Sequence, residues 1–265
     1  MATVHTTWDY VSQNTFKTWL IMFFFSLFTV GVAYVLAKGY GFDEIGGVGV
    51  VGIALILAGL INFTSYFWSD KIVLGISKAK QIKKESNPQL FRTVENLSIA
   101  AGLPMPKIYI IDDSAPNAFA TGRDPKHASV AFTSGILTKL NKLELESVAA
   151  HELSHVGNKD TLVMGITSVL VGTIALLTDW FLRAMWYGGH RDRNRGSGPF
   201  AIIALIAAIL APIIASLIQL AVSRRREFLA DASGVLLTRY PEGLASALLK
   251  IAIDPEPLEV ANRGT

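Results

Sequence analysis

Four stretches of this chain carry no charged side chain, and no other feature constrains its fold as much. They cover residues 18–37, 45–69, 161–178 and 196–223, which is 20, 25, 18 and 28 residues, against the roughly 20 that a helix needs to span hydrocarbon. With 51% hydrophobic residues, 17% charged residues and a mean hydropathy of +0.41, the chain is too apolar for an ordinary soluble domain. The windows predict an integral membrane protein with four hydrophobic helices. Asp179 and Arg183 follow the third window at once, and Pro212 interrupts the fourth, where a membrane helix tolerates a local kink. Trp8, Trp19, Tyr40, Tyr66 and Trp68 lie near the ends of the first two, where amphipathic rings prefer the lipid interface. The first window starts too late and runs too long for a cleaved signal, so it reads as an uncleaved anchor.

Charge sets the expected orientation. Lys71, Lys78, Lys80, Lys83 and Lys84 follow the second window, whereas the loop between the first two holds only Lys38, Asp43 and Glu44. Positive residues stay inside, so the N-terminus and the polar block Lys71–Asp160 are expected to face the cytoplasm. A hairpin of the third and fourth windows would return the chain to the same side, at Arg224, Arg225 and Arg226. The expected organisation is a membrane hairpin over 1–70, a first part of a polar domain over 71–160, a second hydrophobic hairpin over 161–222 and a second part of that domain over 223–265. The Lys and Arg residues gather beside apolar windows rather than in a basic module, so the net charge of +3 argues for topology and against nucleic acid. The absence of cysteine excludes disulfides and thiolate metal sites and fits a cytoplasmic location. Any metal must be held by His, Asp or Glu.

Within the polar block, Leu90, Val94, Leu97, Ala100 and Ala101 recur at helical spacing from Pro88, ending at Gly102 with Pro104 beyond. Lys107–Ile111 and Ala128–Phe132 are β-branched and aromatic runs separated by Asp, Pro, Asn and Gly, which predicts a small sheet. Helical period returns at Lys142, with Asn141 as cap and Glu144 in the capping-box position.

That helix carries His151, Glu152, Leu153, Ser154 and His155. Histidines four apart lie on one helical face and can converge on one metal ion, while Glu152 stands beside it without being a ligand. With 5 His and 10 Glu in 265 residues, this pattern arises by chance about once in 300 such chains, so chance is a poor explanation. Catalysis by zinc needs three protein ligands and one open position for a water whose proton Glu152 can take. The remaining candidates are Asp, Glu, His5, His127 and His190. A helix over 223–237 offers Glu227 and Asp231 four apart; Glu227 is the preferred ligand, and Asp231 is then placed to accept a hydrogen bond from the outer nitrogen of a ligating histidine.

The run His151–His155, the segment Pro116–Gly122 (PNAFATG) and the run Ser223–Asp231 (SRRREFLAD) together resemble the HtpX family of membrane zinc metalloproteases. The CAAX prenyl protease is a more distant relative in the same clan. The resemblance covers nearly the whole chain. It implies an α+β, zincin-like (gluzincin) cytoplasmic catalytic domain on an α-helical membrane anchor, with one Zn2+ per chain on His151, His155 and Glu227, and Glu152 as general base. It also implies that Asn117, Ala118, Phe119 and Ala120 form a sheet-edge strand that pairs with substrate backbone, a device that holds an extended peptide without demanding particular side chains. The expected substrates are polypeptides, membrane proteins among them, cleaved in stress-linked quality control at the cell (inner) membrane. Members of this family continue further, so the end at Ala261–Thr265 reads as truncated. Two rival readings are a metal-ion transporter, which would bury the two histidines mid-span, and a catalytically inactive scaffold.

Overall fold

The computed structural model describes residues 7–39, 44–188 and 224–256. The first two windows become α1 (Thr7–Gly39) and α2 (Glu44–Ile76), the second broken at Trp68 by non-helical backbone. Among the described residues, two helices are long and apolar enough to cross a membrane, over Ser12–Tyr34 and Gly47–Ile76, and Lys142–Gly157 with Asp160–Leu176 passes only as a pair bent by 84°. The third window lies in a long helix, Asp160–Gly188. The fourth, Gly196–Ser223, falls outside the described residues.

The chain divides into two compact units, one of residues 16–66 and 166–221, the other of residues 1–15, 67–165 and 222–265. The first is built inside out. Phe23, Phe24, Ile53, Leu55, Ile56 and Phe63 are exposed, while Thr18, Asn62 and Ser65 are buried. Water would drive the opposite distribution, whereas lipid accepts apolar side chains outside and leaves buried polar groups to bond within the protein. Asn62 Nδ2 donates to Met22 O (3.1 Å) and to Ser26 Oγ (2.8 Å), which ties α2 to α1. Ser26 and Ser65 also donate to carbonyls one turn back in their own helices. Trp19 stacks on Tyr66 at 6.1 Å between ring centres.

The second unit is a small mixed sheet packed on helices. β1 (Lys80–Gln81), β2 (Lys107–Ile111), β3 (Ala118–Thr121) and β4 (Ser129–Thr133) lie in the order β1-β2-β4-β3. β1 runs antiparallel to β2, β2 parallel to β4, and β4 antiparallel to β3, so β3 is an edge. The two apolar runs read from the sequence are thus neighbours at the centre. β1 was not foreseen, because its two exposed residues carry no alternation to read. At the β3–β4 turn Gly122 takes φ +137°, and a Cβ there would strike the His127 carbonyl.

On one face of the sheet, Ile108, Val130 and Phe132 meet Leu90 and Val94 of α3 (Pro88–Ala100) and Leu153 of α5 (Lys142–Gly157) in a single core. The other face holds Leu74, Ile111 and Ala131, with Phe119 packed against them. A short α4 (Ser134–Lys139) joins β4 to α5, and α6 (Asp160–Gly188), α7 (Arg224–Thr238) and α8 (Pro241–Ala252) complete the order.

The capping box starts α5 and also anchors α8. Asn141 accepts from the Leu143 and Glu144 amides, and Glu144 Oε2 accepts from Asn141 N at 2.8 Å. Glu144 is buried, yet satisfied: Ser246 Oγ donates at 2.6 Å and Lys250 Nζ at 2.8 Å, both from α8. Burial opposes its charge, but the Lys250, Ser246 and Asn141 donors outweigh it and hold the carboxyl at about 2.

Candidate metal centre

α5 presents His151 and His155 on one face, with Nε2 atoms 3.2 Å apart and ring centres 4.8 Å apart. α7 brings a carboxylate to them. Glu227 Oε2 stands 3.5 Å from His151 Nε2 and 3.7 Å from His155 Nε2, and one ligand atom from each residue lies within 4.8 Å of the others. Glu227, Ala230, Asp231 and Gly234 recur at i, i+3, i+4 and i+7, one face of α7, and its two small members let the backbones close up. A Cβ at Gly234 would lie only 3.0 Å from His151 N, so glycine sets the helix separation at which Glu227 reaches the imidazoles.

The outer nitrogens of the two histidines have different partners. His151 Nδ1 stands 2.9 Å from Asp231 Oδ1, close but out of line for a hydrogen bond. His155 Nδ1 is 3.1 Å from Asp160 Oδ2 and buried with it. If Nδ1 donates to the carboxylate, the Nε2 lone pair turns to the cluster. Burial opposes charge on both rings, but in His155 the Asp160 and Glu227 carboxylates win and push the imidazole up to about 10; His151 is raised by Glu227, Glu152 and Asp231 against the same penalty. The two imidazoles in turn hold Glu227 far below the usual carboxylate range. Two imidazoles and a carboxylate gathered this closely form a group that could hold a cation.

Glu152 stands beside the free edge of the sheet, near the Ala120 backbone N–H of β3; burial pushes its carboxyl up against the pull of the two imidazoles and of that N–H. Asn117 lies just before β3, and its backbone bonds to Thr133: Thr133 N donates to Asn117 O at 2.9 Å, and Asn117 N to Thr133 Oγ1 at 2.9 Å. Ala118 and Ala120 face the main core, while Phe119 packs on the opposite face. His127 sits in an exposed turn against Asp124 and Arg123, away from the cluster; His5 and His190 lie outside the described residues.

Residues 84–262 match the family described as Peptidase family M48. The chain belongs to peptidase family M48. It is similar over nearly its whole length to curated proteins named protease HtpX homolog. That of Dictyoglomus thermophilum is 43% identical over 98% of this chain and 84% of its own, that of Tropheryma whipplei 46% over 95% and 84%, and that of Pyrococcus furiosus 46% over 94% and 83%. Among solved structures, S. mikatae Ste24p shares the fold, with a TM-score of 0.50 at 21% identity over 93% of this chain and 65% of that one. With its two candidate spans, this M48 member is a membrane peptidase.

M48 peptidases are zinc enzymes, and the donors here fit that ion. Four tetrahedral ligands about 2.0–2.1 Å from zinc stand about 3.3–3.4 Å apart, against the 3.2, 3.5 and 3.7 Å separations of the three donor atoms. Two nitrogens, one oxygen and no thiolate is a set that leaves a coordination position open, as a hydrolytic site requires.

Reading the sequence missed Asp160 and Gly234. Gly234 had a signal, a small residue seven positions after Glu227. Asp160 lies five residues beyond His155, across a helix break, where helical spacing no longer predicts a contact.

Proposed function

We propose that this peptidase is a zinc-dependent endopeptidase of the membrane that hydrolyses misfolded or membrane-embedded polypeptides at its cytoplasmic side. The observation that carries this reading is the convergence of His151, His155 and Glu227 beside a carboxylate, Glu152, that stands near the backbone of an edge strand. His151, His155 and Glu227 would hold one Zn2+. The ion supplies, when bound, the Lewis acidity that makes water nucleophilic near neutral pH.

The chain's own residues do the rest. An extended substrate adds to the free edge of the Asn117–Ala120 segment through its outward backbone groups, those of Asn117 being held by Thr133, with little demand on sequence. Glu152 then lies beside the scissile bond, takes a proton from the attacking water on a carboxylate oxygen and returns it to the departing amine; burial that raises its carboxyl suits it to both roles. Asp160 holds the outer nitrogen of His155, and Asp231 stands beside that of His151. The lysine run after the second span supports a cytoplasmic face. A transporter reading is weakened because α5 packs against the sheet and is not itself a candidate span.

The test is peptide cleavage in detergent by wild type and by Glu152→Gln, purified under chelation to prevent self-digestion and then reloaded with zinc. Cleavage by wild type alone, with equal zinc in both, supports the reading. Equal cleavage by both removes Glu152 as base, and zinc binding without cleavage by either points to the scaffold.

A further inference from the structure

Asn14 lies in the first turns of α1, two residues into the candidate span Ser12–Tyr34, and is only 4% exposed. Its Nδ2 donates to Asp160 Oδ1 at 2.8 Å and to Asn158 O at 3.0 Å, partners 146 and 144 residues away. Both acceptors lack a hydrogen to give, so only the NH2 end of the amide can face them, and both of its hydrogens are committed. Those acceptors flank Lys159, which takes the left-handed φ of 56° that breaks α5 from α6. One amide therefore spans the turn joining the helix that carries His155 to the residue that holds the His155 ring.

We propose that Asn14 is a positioning residue for the metal centre: it orients the Asp160 carboxylate, and through it the imidazole of His155. Asp160 is 1% exposed and cannot turn to water if Asn14 is lost. Its Oδ2 faces His155 Nδ1 while its Oδ1 accepts from Asn14. His151 has no such clamp; its partner Asp231 has a side chain 36% exposed. The two histidines are thus held differently, one by solvated carboxylate and one through a buried chain that starts on the first membrane helix. The seating of the first turns of α1 and the geometry of the metal site become one variable.

This inference rests on the reading of His155 as a metal ligand, and the experiment separates the two. Full-length wild type, Asn14→Ala, Asp160→Asn and the double variant are purified in detergent and checked for fold by circular dichroism and thermal unfolding; Asn14→Ser, which keeps a donor, serves as the milder second variant. Zinc affinity is measured by competition with a chelator, and cobalt-substituted protein gives the visible spectrum of the site. Asn14→Ala should weaken zinc binding about tenfold and alter the cobalt bands, with Asn14→Ser between it and wild type. In the Asp160→Asn background the same change should add nothing, which a general packing role would not reproduce. Wild-type affinity in both Asn14 variants, or losses that multiply in the double variant, overturns the proposal. Folded wild type that takes up no zinc overturns the metal reading and this inference together.

Discussion

The two units of the molecule solve opposite problems. Among the described residues of the unit that spans 16–66 and 166–221, many apolar side chains face outward and a few amides and hydroxyls bond inside, with Asn62 joining α2 to α1. In the unit that holds the metal cluster, Phe132, Leu90 and Ile108 fill a core, and the buried charges Glu144 and Asp160 are met by named donors. Lipid and protein interior differ little for an apolar side chain, so the first unit gains little from burial and tolerates change; an unpaired charge in the second has no solvent to fall back on. Substitutions should therefore act sharply in the second unit and mildly in the first.

The sharpest expected break is Glu152→Gln. Peptide cleavage should fall by about a thousandfold or more, with zinc content and thermal unfolding unchanged. Full activity would locate the base elsewhere.

Gly234→Val comes next. The new side chain meets the α5 backbone at His151, where even a Cβ lies 3.0 Å from the amide nitrogen, so α7 must move. We expect a loss of about 1–3 kcal/mol in stability and weaker zinc binding, read by unfolding and chelator competition. Zinc binding like wild type would mean that the helix separation does not set the site.

Glu144→Gln tests a charge far from the chemistry. It removes an ionic hydrogen bond and part of a cap, and because the Lys250 side chain is 43% exposed the expected loss is about 1–2 kcal/mol at pH 7. The sign of the pH dependence comes from the depressed carboxyl. The stabilisation is fully present above the ordinary value of 4.5 and is lost as pH falls towards about 2. Wild type should therefore lose its advantage over Glu144→Gln across that window, measured by unfolding midpoints at stepped pH.

The smallest effect belongs to the first unit. Asn62→Leu deletes its interhelical hydrogen bonds in an apolar setting, and about 0.6 kcal/mol, at most about 1.7, should be lost. A loss as large as that of Gly234→Val would erase the contrast between the units.

Much of the fold is legible in the sequence alone. The first two windows, the Pro88 helix, the strand Lys107–Ile111 and the capping box at Asn141 all rest on patterns within a dozen or so neighbouring residues, where backbone geometry alone fixes which side chains share a face. β1 and α4 are too short to carry such a pattern. At the site, His151 and His155 are legible as a pair because four residues make about one helical turn. Glu227 is legible only as a carboxylate of the right kind on a helix, since 72 residues separate it from His155 and no periodicity crosses that distance.

By itself, then, the sequence determined the features that local geometry and solvent control: which segments prefer lipid, where helices start, and that two imidazoles and one acid stand within a turn of each other. The tertiary structure alone decided that Glu227 meets those imidazoles, that Glu152 comes near Ala120 at the sheet edge, and that Asn14 reaches Asp160 across 146 residues. The physical reason is that these contacts are made by helix and strand packing, in which a glycine's missing Cβ or one amide's two hydrogens determine the fit, and neither leaves a repeat along the chain.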